Sequence, residues 1–129
     1  MMWKLAFAFL AVLLAVGFGQ NPDGGTDVNA NDPEVQAALK LAMEEYNKAS
    51  PDIYFFKVVK VIRAQITPRE GYKCTLTVMI ARTVCRKGRP ANWCPVFINP
   101  DRAKSYRCTF VVRYNEWAGI WMLVDQECH

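Results

Sequence analysis

Histidine is almost missing from this sequence: there is one, His129. A Ser–His or Cys–His couple needs an imidazole held by its neighbours, and a last residue next to a cysteine is poorly placed for that. No nucleophilic catalysis of this kind is expected. Cysteines spaced as CxxC are also absent, which removes the usual zinc frameworks, so neither a metal nor a cofactor is expected. No Asn-x-Ser/Thr sequon occurs, and N-glycosylation is not expected. Charge of one sign is scarce as well: 16 Lys+Arg face 12 Asp+Glu. Nucleic-acid readers and membrane-active peptides usually carry a denser basic cluster, and here only residues 82–89 qualify, so neither nucleic acid nor membrane is an expected partner. The acidic pairs Glu44/Glu45 and Asp125/Glu127 read as solvated faces rather than acid–base machinery. The chain is expected not to be an enzyme.

Long apolar runs are limited to one, residues 5–16, behind Met1-Met2-Trp3-Lys4 and ahead of Gly17-Phe18-Gly19. It is shorter than the ~20 apolar residues of a membrane span, and no stop-transfer charges follow. Residues 1–19 are therefore read as a secretory signal peptide cleaved after Gly19, with residues 20–129 as one secreted, extracellular domain. Cleavage takes away Lys4, so 15 Lys+Arg remain against 12 Asp+Glu, a mild +3. A domain this short buries only about two-thirds of its unfolded surface. Disulfides of roughly 2–4 kcal/mol each are then a large share of its stability.

Five cysteines allow fifteen choices of two bridges and one thiol. Cys108 and Cys128 are equidistant from Ala118, and the segment between them reads as two strands folded about Asn115-Glu116-Trp117-Ala118-Gly119. Such a hairpin sets the two cysteines opposite each other, within bridging distance. Cys85 and Cys94 flank an irregular stretch and are favoured as a local bridge. Cys74 is left as a free thiol on the apolar face of its strand, an inert core filler, with a bridge between two molecules as the alternative.

The rest of the chain sorts by period. Residues 20–31 are rich in Gly, Asn and Asp and read as a flexible arm. Asp32 caps a helix, Pro33 suits its first position, and Glu34 meets the positive end of its dipole. Val35, Leu39, Ala42, Tyr46 and Ala49 share one face over about four turns, until Ser50-Pro51-Asp52 ends the helix. Residues 53–66 read as a strand, broken by residues 67–71. From Tyr72 to Ile80 the residues alternate, with Tyr72, Cys74, Leu76, Val78 and Ile80 facing one way. Residues 106–114 and 120–127 complete the strands. One long helix wrapped by a four- to five-stranded antiparallel sheet defines an α+β fold.

The signal peptide, the pair Gly24-Gly25, the stretch Glu45-Tyr46-Asn47-Lys48-Ala49-Ser50, the four late cysteines and the tryptophan turn together resemble a type-2 cystatin. That family is secreted and inhibits papain-like, cathepsin-type cysteine proteases. The resemblance covers essentially all of residues 20–129 and implies a cystatin-like fold. It also implies reversible, competitive inhibition by occupancy: three segments at one sheet edge plug the active-site cleft. Here they would be Gly24-Gly25 in the arm, Thr67, Pro68, Arg69, Glu70 and Gly71 in a first hairpin loop, and Glu116-Trp117 in a second.

The first loop departs from the family pattern Gln-x-Val-x-Gly. Thr67 stands for the glutamine and Arg69 for the valine, unless Gln65-Ile66 begin a hairpin two residues longer. In either register the apolar tip is lost, which implies weakened inhibition. Glu116 replaces the proline of the second loop. Some members inhibit legumain through a Ser-Asn-Asp turn after the helix, and Ser50-Pro51-Asp52 lacks that asparagine, so legumain is not an expected partner. The chain is expected to be mostly monomeric, with a dimer through Cys74 or by exchange of the helix–strand segment as alternatives. Competing readings are a non-inhibitory binding protein on the same fold, or a cationic host-defence protein acting through Arg86, Lys87 and Arg89.

Overall fold

The computed structural model describes residues 25–68, 72–89 and 92–129. The signal-peptide reading of residues 1–19, and the site residues Gly24, Arg69, Glu70 and Gly71, fall outside them. The elements in chain order are β1 (Thr26–Asp27), α1 (Pro33–Ala49), β2 (Tyr54–Thr67), β3 (Lys73–Arg86), β4 (Ser105–Asn115) and β5 (Ile120–Cys128). The five strands form one antiparallel sheet in the order β1-β2-β3-β4-β5, with α1 packed on one face.

Local chemistry fixes the helix ends. The Asp32 carboxylate accepts the Glu34 N–H at 3.1 Å, Pro33 occupies the first turn, and the Ser50 N–H closes the last turn on the Tyr46 carbonyl at 2.9 Å. Val35, Ala38, Leu39 and Ala42 are the buried stripe. They meet Leu76, Val78, Ile80, Phe110 and Val112 from the sheet, the alternation read from Tyr72 to Ile80 supplying the facing side. Asn47 fixes how α1 lies on β2. Its side-chain amide donates to the Phe56 carbonyl at 3.0 Å and accepts the Phe56 N–H at 2.9 Å, pairing two backbone groups of the strand.

Two features differ from the sequence reading. The segment read as a flexible arm contributes β1, where Thr26 and Asp27 pair with Ile66 and Gln65 and the Val28 N–H donates to the Ala64 carbonyl at 2.9 Å. Strand propensity there is negligible; the edge of β2 supplies the partners that a Gly/Asn/Asp stretch cannot provide for itself. Second, β3 runs on to Arg86 instead of ending near Ile80. Its far half is paired with β2 and also with the irregular excursion, through Thr83 against Val96.

The register of β2 against β3 shifts three times, once between Tyr54 and Phe56 and twice further along the strand. Val58 faces Ile80 and Lys60 faces Met79, then Val61 faces Val78 and Arg63 faces Thr77, so Val59 and Ile62 have no opposite residue. These are bulges, and they rotate the outward row of the strand. Both expected disulfides are present, Cys85–Cys94 with Cα atoms 5.5 Å apart and Cys108–Cys128 with Cα atoms 4.1 Å apart. Cys74 is free and only 1% exposed.

Candidate functional site

Strand register brings three separate segments to one end of the sheet. Gly25 immediately precedes β1, whose Thr26 faces Ile66. One residue further, Thr67 faces Lys73 and closes the β2–β3 hairpin beyond Pro68. Lys73 in turn faces Arg113, two residues before Asn115 opens the β4–β5 turn. The order across this rim is Gly25, then Pro68 and Tyr72 at the end of the β2–β3 hairpin, then Glu116-Trp117.

Trp117 is 99% exposed and Trp93, beside Cys94, is 80% exposed, while Trp121 is half-buried. An indole fully in water is an apolar surface with nothing covering it in the monomer, and the backbone that carries it is fixed by its own turn. The Asn115 side-chain oxygen accepts the N–H groups of Trp117 at 2.9 Å and Ala118 at 3.1 Å. The Gly119 N–H closes the turn on the Asn115 carbonyl at 2.8 Å, with Gly119 at φ +66°. Asn115 thus gives the turn a stiffness that Glu116, lacking a proline ring, does not.

The rim rests on Tyr72, whose place in the alternation from Tyr72 to Ile80 is that of an ordinary strand residue. Its φ is +60°, a left-handed conformation uncommon for a side chain of this size. Three contacts hold it. Its N–H approaches the Pro68 carbonyl at 3.4 Å, its carbonyl accepts the Tyr114 N–H at 3.2 Å, and its hydroxyl donates to Glu34 at 2.5 Å. The ring lies 5.9 Å from that of Trp121, which in turn meets Tyr114 at 5.3 Å. The hydrogen bond to Glu34, followed by burial, pushes the Tyr72 phenol up to about 12. The first hairpin, the second hairpin and the helix N-terminus are therefore joined through one residue. No local sequence signal marks a positive φ at a tyrosine.

The remaining expected site residues are distributed as follows. Gly25 is buried beside the edge of β2, Thr67 is buried at the strand end, and Pro68, Glu116 and Trp117 are exposed. Gln65 and Ile66 lie within β2, paired with Thr75 and Cys74. They are not hairpin-tip residues, so the longer register considered for the first loop does not occur.

The opposite end of the sheet is different in kind. A cleft of about 490 Å³ is lined by residues including Ser50, Asp52, Arg82, Lys104 and Tyr106. The one carboxylate lining it is committed. Asp52 accepts the Tyr54 N–H at 2.9 Å on Oδ1 and the Arg82 Nε and Nη2 at 3.0 and 2.5 Å on Oδ2. Burial opposes its ionisation, but the Tyr54 amide and the Arg82 guanidinium prevail and hold its pKa below the usual value. Among the described residues, no group of three or more His, Cys, Asp or Glu converges as a metal site would require.

A single helix clasped by an antiparallel sheet, with a short arm strand and two hairpins meeting at one end, defines a cystatin-type domain, and residues 24–117 match the Cystatin domain family. The chain belongs to the cystatin family. It is 36% identical over 128 residues to a cystatin of Oncorhynchus keta, covering 99% of this chain and 98% of that relative. It is 36% identical to cystatin-C of Paralichthys olivaceus, over 98% of this chain and all of the relative. Among solved structures it is similar to dimeric human cystatin F, with a TM-score of 0.70 and 28% identity over 81% of this chain and 85% of that one.

Proposed function

We propose that the mature chain is a secreted, reversible, competitive inhibitor of papain-like cysteine proteases of the cathepsin type. The observation that carries this reading is the register that aligns Gly25, Thr67-Pro68 and the exposed Trp117 along one end of the sheet. Family membership supports it, since the matched relatives are cystatins along nearly their whole length.

The physical logic is occupancy of a cleft. Covering the ~200 Å² of an indole at ~25 cal/mol/Å² contributes roughly 5 kcal/mol before the costs of association. Because Asn115 already holds the turn, little conformational entropy is lost when it docks. Thr67 is buried, so contact at the first loop falls to Pro68 and the residues after it. Arg69 at the valine position puts a cation where an apolar tip is suited to a protease slot, and inhibition is correspondingly weaker. No step of chemistry is involved, and the chain is not an enzyme.

The test is a titration of the refolded mature chain against papain and a lysosomal cathepsin. Trp117→Ala is expected to weaken inhibition about 10- to 100-fold and Arg69→Val to strengthen it. Legumain is not inhibited in the same assay, because Asp52 is tied to Arg82 and the turn before it carries Pro51 in place of asparagine. If neither substitution moves the inhibition constant, the plug reading fails and a non-inhibitory binding role replaces it.

A further inference from the structure

Lys57, Lys60 and Arg63 recur every third residue along β2. In an uninterrupted strand that spacing alternates faces, so Lys60 would point into the helix-covered core. The two bulges prevent this. Each adds one residue, and the three cations come to stand opposite Ala81, Met79 and Thr77, successive outward positions of β3. Leu76, Val78 and Ile80, the intervening residues of β3, are fully buried on the helix side. The result is a row of three cations on the outer face at intervals of about 7 Å, about 14 Å from end to end. All three are exposed.

The surroundings concentrate the charge. Arg107 is exposed and stands opposite Met79, so it faces Lys60 across the uncharged outer surface of β3. The carboxylates that share this face lie toward its margins. Asp27 on β1 accepts from Arg63 at 2.9 Å, and Asp125 and Glu127 on the edge strand β5 stand opposite Val111 and Thr109. Among the described residues neither Lys57 nor Lys60 takes part in an ion pair. Thr77, Met79 and Ala81 form a floor without charge between the β2 row and Arg107.

We infer that this outer sheet face binds a linear sulfated polysaccharide. The polymer lies along β3, its sulfates paired with Lys57 and Lys60 on one side and Arg107 on the other, with Arg63, already bonded to Asp27, at the end of the row. A regular row of exposed cations matches a chain that carries anions at intervals, and it needs no pocket. Arginine and lysine both pair with such oxyanions. The outward positions of β3 between Thr75 and Ala81 carry no aromatic ring, so the platform that single-stranded nucleic acid stacks on is missing. This binding is separate from the protease-facing rim and does not depend on it.

The test is retention of the mature chain on immobilised heparin at about 0.15 M salt, followed by a salt gradient. The wild type is retained. Lys57→Thr/Lys60→Thr elutes at distinctly lower salt, with affinity reduced tenfold or more, whereas Arg86→Thr/Arg89→Thr, which removes the same charge elsewhere, elutes close to the wild type. Equal shifts in both double variants would mean net charge alone, and no retention of the wild type would mean no site; either result overturns the inference. So does capture by anionic phospholipid vesicles or duplex DNA in preference to heparin. Thermal unfolding of each variant confirms the fold, and Arg107→Thr serves as a single-site check with the same expected direction.

Discussion

Cys74 shows how burial decides the chemistry of one side chain. Burial, followed by the charges of Glu34 and Asp32, lifts its thiol to about 11, so at neutral pH it is protonated and out of reach. A thiol that is neither ionised nor exposed does not attack a disulfide or a reagent. The native protein is therefore expected to leave a chromogenic disulfide reagent unreacted at pH 7.5 and to release one equivalent only on addition of denaturant. Immediate reaction without denaturant would restore the bridge between two molecules as a working alternative. Tyr72 makes the complementary point. Its strained backbone and its link to Glu34 lie outside any pattern of composition or spacing, because both depend on what the fold sets beside it.

At the scale of elements, the β4–β5 hairpin shows how a sequence reading can be right in outcome and incomplete in geometry. Symmetry about Ala118 paired Cys108 with Cys128, and those two residues do face each other. The turn itself, however, runs from Glu116 to Gly119, with Asn115 opposite Ile120, and is centred half a residue earlier. A register shift after Val111 leaves Val124 without an opposite residue and absorbs the difference. Turn chemistry sets one end and the disulfide the other, and the bulge reconciles them. Because Asn115 holds two amides of the turn, Asn115→Ala is expected to weaken protease inhibition several-fold while Trp117 remains in place. Protein stability falls by only ~1 kcal/mol. Inhibition constants and urea midpoints measured side by side check this, and unchanged inhibition would remove Asn115 from the account of the rim.

At the scale of the molecule, the end opposite the rim is secured by the Asp52–Arg82 pair, with side chains 14% and 16% exposed. It ties the turn after α1 to the far half of β3. Asp52→Asn leaves the guanidinium without its counter-ion and is expected to lower stability at pH 7 by about 1–3 kcal/mol, the cost of losing charged hydrogen bonds. The sign with pH follows from the depressed pKa of Asp52. Its contribution is complete above the ordinary value of 3.8 and is lost as pH falls through the lower folded-state value. The gap in unfolding temperature between wild type and variant therefore persists down to about pH 4 and closes below it. A gap that stays constant to pH 2 would assign the pair no electrostatic role.

The chain alone determined the helix and its caps, the inward alternation of β3, both disulfides and the exposed tryptophan turn. All of these are local patterns or symmetric spacings, whose physics acts within a few residues or across one hairpin. The tertiary structure decided what required a neighbour distant in sequence. The arm's β1 forms because β2 offers an open edge, and Tyr72 is held at positive φ by Glu34 and Tyr114. The basic row of β2 faces outward because two bulges turn it there. Sequence period fixes which face a side chain takes only while the strand is regular, and bulges are set by packing between elements.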